Sequence, residues 1–154
     1  MKKLTIKRQL PGNITEIWSY FSEKNKFQKW WAPAKFTCPV VDIDLRKGGA
    51  FHFCFEDAQG NRTWGRGKFV EVKHPYKFSY IDSFADEKGE AVPPSHYGLP
   101  GKEIQETLIE FNFEDDGVNS HMTVVMNEPY DRDLTNQLLL RWNQMFDKLH
   151  QSLV

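Results

Sequence analysis

No apolar run in the chain is long enough to cross a bilayer, which takes about 20 consecutive apolar residues, so no membrane span is predicted. Cysteine is scarce. Cys38 and Cys54 are the only two, too few for a disulfide framework, and reduced thiols in a cytoplasmic protein are expected. An excess of either charge is lacking as well: 20 Lys and Arg stand against 21 Asp and Glu, with no basic block. Neither nucleic acid nor an acidic partner is therefore expected. Near the N-terminus Lys2, Lys3, Lys7 and Arg8 interrupt what would have to be the apolar core of a signal peptide.

Motifs that carry chemistry are equally sparse. His52, His74, His96, His121 and His150 are scattered without the spacing or Cys partners of a metal site, so no metal and no cofactor is predicted. Ser22, Ser79, Ser83 and Ser95 have no nucleophile-elbow setting, and neither cysteine has a neighbouring base. Gly48-Gly49 and Gly65-Arg66-Gly67 lack a phosphate-cradling pattern and read as a turn and a bend. No catalytic residue is assigned. His52 and His121 fall opposite the apolar alternation and are expected to face solvent, while His74 and His150 read as surface positions. His96, beside Tyr97 in a Pro/Gly-rich stretch, is the one histidine placed to hydrogen-bond a ligand or to act as acid or base. Asp44 and Arg46, two apart on a strand, share a face and can pair.

Aromatic residues, by contrast, are plentiful: 12 Phe, 5 Trp and 5 Tyr offer large apolar area of defined shape, for a core or for a pocket wall. The last stretch organises them. From Tyr130 to Val154, Leu134, Leu138, Trp142, Met145, Phe146, Leu149 and Leu153 recur at helical spacing, with Asn136, Arg141, Asn143, Lys148 and Gln151 on the other face. Asp131 and Asp133 suit the start of that helix. Each large apolar side chain it buries contributes roughly 1.5–3 kcal/mol, so the helix needs a broad apolar partner.

The preceding chain supplies one. Lys3 to Leu10 alternates as a half-buried strand, although Arg8 breaks its apolar side. Asn13 and Glu16 resemble a capping box opening a short helix with Ile14, Ile17, Trp18 and Phe21. A second short helix from Asn25 carries Phe27, Trp30 and Trp31 and stops at Pro33. Six strands follow. Val41, Ile43 and Leu45 alternate before Gly48-Gly49, then Phe51, Phe53 and Phe55 complete a hairpin. Thr63 to Val72, where Gly65 and Gly67 permit close approach or a bulge, and Tyr76 to Phe84 come next. After an irregular stretch from Glu90 to Lys102, Glu103 to Phe113 and a strand with Met122, Val124 and Met126 precede Pro129 and the helix. The order predicts an α+β fold with a curved antiparallel sheet, in one domain spanning 1–154 with one core.

These residues carry a resemblance. Trp30-Trp31-Ala32-Pro33, Asp44-Leu45-Arg46-Lys47-Gly48-Gly49 leading into a Phe-rich strand, Gly67 to Val72 followed by Pro75, and Thr107 to Gly117 together resemble the helix-grip, START-like (SRPBCC) superfamily. Within it they are similar to bacterial relatives of the C-terminal domain of the activator of the heat-shock chaperone ATPase. The resemblance covers essentially the whole chain and implies a sheet gripping the C-terminal helix, with a hydrophobic cavity between them. Its members bind lipids, polyketides and hormones, and a minority are enzymes.

The expected ligand-binding residues are Trp18, Trp31, Phe51, Phe53, Phe55, Ile109, Phe111, Trp142, Met145 and Phe146, with Tyr80, His96, Tyr97 and also Arg66 as polar contacts. Met122, Val124 and Met126 belong to the same interior. The residues predict the apolar interior, and the resemblance implies the void. The expected function is non-catalytic binding of a small apolar or aromatic molecule. Two alternatives stand beside it: a domain that modulates a chaperone ATPase, and an enzyme acting on a cavity-bound substrate.

Overall fold

The computed structural model describes residues 2–128 and 132–154. Its elements are β1 (Lys3–Pro11), α1 (Ile14–Ser22), α2 (Lys24–Phe27), β2 (Val41–Ile43), β3 (Ala50–Glu56), β4 (Arg62–Lys73), β5 (Lys77–Ala85), β6 (Thr107–Asp115), β7 (Asn119–Asn127) and α3 (Arg132–Leu153). The seven strands form one antiparallel sheet in the order β1-β7-β6-β5-β4-β3-β2. The α+β helix-grip architecture expected from the sequence is thus present. Its boundaries differ in places. The second short helix begins at Lys24 and ends at Phe27, leaving Trp30 and Trp31 in the following turn. Leu45 lies beyond the short β2, and the irregular stretch runs on to Glu106 with one 3-10 turn at Pro94–Tyr97. Pro129, Tyr130 and Asp131 lie outside the described residues.

Local sequence explains how each element is anchored. On β1, Leu4, Ile6 and Leu10 are buried, and Arg8 takes the remaining inward position of that alternation. It reaches α3 instead of the core: its guanidinium donates to Asp147 Oδ1 at 2.8 Å and, more weakly, to the carbonyl and Oδ1 of Asn143. The residue that breaks the strand's apolar pattern is the one that ties the strand to the helix. Asn13 caps α1 by accepting the Glu16 N–H at 2.9 Å, and Ile14, Ile17, Trp18, Tyr20 and Phe21 turn inward.

Helix α3 buries Thr135, Trp142, Met145, Phe146 and Leu149. Leu134, on the predicted apolar face, is 54% exposed while its neighbour Thr135 is buried, so at the start of the helix the inward position is not the one the apolar spacing predicts. Residues of the predicted polar face make contacts of their own. Lys148 Nζ donates to the carbonyls of Pro33 and Phe36 at 2.8 and 2.9 Å, and Asn143 Nδ2 donates to the Leu139 carbonyl. Tyr20 Oη donates to the Ser152 carbonyl at 3.0 Å, fixing α1 to the far end of α3.

Between sheet and helix the aromatic side chains pack on one another. Phe78 and Phe111 stack with centroids 4.8 Å apart, and Phe21 meets Trp30 edge to face at 4.9 Å. Two glycines on β4 make this possible. A β-carbon on Gly67 would lie 2.9 Å from the rings of both Phe51 and Tyr80, and one on Gly65 would be closer still to Phe53. A register shift between Phe69 and Glu71 bends the same strand. The opposite face of the sheet carries a small second cluster of Cys54, Trp64 and Ala85, with Val40 and Tyr97 packed against it. His52 belongs to that face. Expected in solvent, it is half-buried, stacked on Trp64 at 4.8 Å and within 3.1 Å of the Asp86 carbonyl. An outer strand position faces solvent only where nothing else covers it. Asp44 and Arg46 do pair, at 2.7 Å and in the open.

Candidate functional site

A cavity of about 240 Å³ lies where β3, β4 and β5 face α3. Its helix wall is Leu138, Arg141, Trp142 and Met145. Phe53, Phe55, Thr63, Trp64 and Gly65 come from β3 and β4, and Tyr80, Asp82, Ser83 and Phe84 from β5. Trp31 and Pro33, delivered by the turn after α2, complete the lining. The turn is held in place by Lys148 and by Gln144 Oε1, which accepts the Ala34 N–H at 3.2 Å.

Of the residues the sequence put forward, the lining brings together Trp31, Phe53, Phe55, Tyr80, Trp142 and Met145. The others lie elsewhere. Trp18 packs edge-on against His74, Phe78 and Phe113. Phe51, Ile109, Phe111 and Phe146 are core residues, each at most 3% exposed and none on the lining. Their inward phase is the same as that of lining residues, and only sheet curvature separates those that border the cavity from those that fill the rest.

The polar candidates divide in the same way. His96 is exposed in the loop and contacts the Tyr97 ring. Tyr97 Oη accepts the Trp64 N–H at 3.0 Å and donates to the Ala85 carbonyl, which commits it to the second cluster. Arg66 donates to the Gly89 carbonyl at 3.2 Å. Neither His96, Tyr97 nor Arg66 borders the cavity. Turn geometry after β5 decides where that loop lies, and strand periodicity carries no information about it.

Two charged residues of the lining are not among those the sequence reading named for the site. Asp82 stands on β5 in phase with Phe78 and Tyr80, and it is half-buried with no hydrogen bond or ion pair among the described residues. Burial pushes its carboxyl up from the ordinary carboxylate value to about 7. An acid in phase with an aromatic inward side was the available signal. Arg141 flanks the apolar stripe of α3, three residues from Leu138 and four from Met145. Taken whole it is an exposed residue, yet enough protein surrounds the guanidinium that desolvation lowers its pKa. It too has no ion-pair partner among the described residues.

Two fully buried polar atoms of lining residues, Trp31 Nε1 and Tyr80 Oη, have no hydrogen-bond partner among the described residues. Burial, and then the nearby Asp82 charge, holds the Tyr80 phenol well above its usual pKa. It therefore stays protonated as a donor. The site is an aromatic pocket with the charged residues Asp82 and Arg141 on its lining. No described residues form a group of three or more His, Cys, Asp or Glu able to hold a metal ion, and among them no helix is long and apolar enough to cross a membrane.

A curved antiparallel sheet closed by its C-terminal helix over a cavity defines a helix-grip domain of the START-like (SRPBCC) superfamily, at family level a ligand-binding type of domain. The model of the family "Activator of Hsp90 ATPase homolog 1-like protein" matches residues 12–153, and the chain belongs to that family. Among solved structures it is similar to a protein of Chromobacterium violaceum, with TM-score 0.79 and 18% identity over 99% of this chain and 98% of that one. The AHSA1 protein of Silicibacter pomeroyi gives TM-score 0.78 and 18% identity, covering 99% and 97%. Protein Ms6760 of Mycobacterium smegmatis gives 0.74 and 23%, covering 98% and 87%. At these identities the likeness is one of fold. No curated protein matches the chain.

Proposed function

We propose that this protein binds a small apolar or aromatic molecule, without transforming it, in the cavity between the sheet and α3. The observation that carries the reading is a void of about 240 Å³ between the sheet and α3 whose wall is aromatic, from Trp31, Phe53, Phe55, Tyr80 and Trp142. Size points the same way. An apolar cavity of roughly 150 Å³ accepts benzene, so about 240 Å³ has room for roughly ten non-hydrogen atoms. The two buried thiols suit a reducing, cytoplasmic setting.

The test is a thermal-shift screen with a broad panel of apolar and aromatic compounds, beside native mass spectra of the protein as purified. Specific binders raise the midpoint, and a panel without one shift overturns the reading. The family match favours a second reading, a domain that contacts a chaperone ATPase through its outer surface. It predicts a direct complex and an altered hydrolysis rate, and no complex at high concentration removes it.

A further inference from the structure

The two charged cavity residues do not neutralise each other. Asp82 is on the sheet wall and Arg141 on the helix wall, and no ion pair within 4.0 Å joins them. Neither has another partner among the described residues. A partly desolvated guanidinium without an acceptor is an unfavourable arrangement, and a carboxylate answers it through two parallel N–H···O bonds. On the opposite wall, Asp82 and Tyr80 are two residues apart on one strand and turn to the same side. A carboxyl that is half-protonated near neutral pH suits a neutral donor such as a hydroxyl or ring N–H. Between the walls the cavity is lined by the aromatic side chains of Trp31, Phe53 and Trp142, residue types that pack well with an aromatic body.

We infer that the ligand is an aromatic acid of one or two rings, its carboxylate bound by Arg141 and a hydroxyl or ring N–H at its other end bonded by Asp82. The inference rests on the cavity-binding reading and adds to it the polarity of the ligand at each end. It separates this cavity from a purely lipidic one, where the walls would need no charged pair at opposite sides.

Isothermal titration of the full chain tests it with matched probes: 4-hydroxyphenylacetate against 4-ethylphenol, and indole-3-acetate against 3-ethylindole. In the wild-type protein at least one acid is expected to bind about tenfold tighter than its uncharged counterpart, the scale of a charge-assisted hydrogen bond. Arg141→Gln is expected to abolish that preference, and Arg141→Lys to keep only part of it. Asp82→Ala is expected to remove the advantage of 4-hydroxyphenylacetate over phenylacetate. Equal binding of acid and neutral probe, or a preference that survives in folded Arg141→Gln, overturns the inference and leaves the cavity reading standing. Failure of all four probes, together with a silent thermal-shift panel, overturns both. The wild-type comparison decides the matter even where a variant fails to fold, and circular dichroism identifies such a variant.

Discussion

A β-carbon built on Gly65 would lie 2.4 Å from Cζ of Phe53, its partner across the β3–β4 pairing. The ring of Phe53 lies over the backbone of β4, and both residues line the cavity. Glycine is present there because another side chain occupies the space where its own would be. Gly65→Ala must push the ring aside, and overpacking of this kind costs about 1–3 kcal/mol. Urea denaturation is expected to show that loss, and the thermal shift produced by any cavity ligand is expected to shrink with it. A wild-type midpoint would show that the ring moves freely.

Asp82 makes stability depend on pH in a direction opposite to that of an ordinary salt-bridged carboxylate. Its folded pKa, about 7, lies above the ordinary 3.8, so between these values the folded state binds more protons than the unfolded one. Stability from this group is full below about pH 4, declines as pH rises toward 7, and is level above. Asp82→Asn, which keeps the shape and removes the titration, is expected to be more stable than wild type at pH 8 by about 1–4 kcal/mol. The difference closes toward pH 4. Denaturation at both pH values checks it, and an advantage that is constant with pH contradicts the assignment.

Phe146 is fully buried, stacked on Trp142 at 5.5 Å and edge-on to Phe111 at 6.2 Å. It is the point where α3 enters the aromatic core. Phe146→Ala is expected to cost about 3–5 kcal/mol, a large part of the total stability of a domain this size. The same truncation at the exposed Leu134 is expected to cost well under that. Comparable losses at the two positions would mean that α3 is held chiefly by its first turns.

Both thiols are buried and free. Burial pushes Cys38 up to about 12, with the nearby Cys54 adding to the effect, and burial raises Cys54 as well. At pH 8 the Cys38 thiolate is a fraction of about one in ten thousand. Thiol-disulfide reagents are expected to leave the folded protein unlabelled and to modify both cysteines in denaturant. Rapid native-state labelling would reveal opening of the β2–β3 region.

Much of this architecture is legible without coordinates. Strand alternation marked Leu4, Ile6, Phe51, Phe53, Phe111 and Val124 as inward, and all are buried. Helical spacing marked Trp142, Met145, Phe146 and Leu149, with the same outcome. Periodicity succeeds because burial of a continuous apolar face is the dominant favourable term, and the chain's own geometry dictates which residues share a face. The site was legible only in part. Trp31, Phe53, Phe55, Trp142 and Met145, which line the cavity, were put forward for being large and inward, a property that Trp18, Phe111 and Phe146 have equally, and Tyr80 was put forward as a polar contact.

The amino-acid sequence by itself determined the order of elements, the inward faces and the aromatic character of the interior, since these follow from local geometry and hydrophobicity. Tertiary structure decided which part of that interior stays open, because a void is set by how far the curved sheet stands from α3. It also brought Asp82 and Arg141, 59 positions apart in the chain, to opposite walls of one cavity. Each has an unremarkable local pattern. Only the packing of three strands against one helix brings them to one cavity and partly desolvates both.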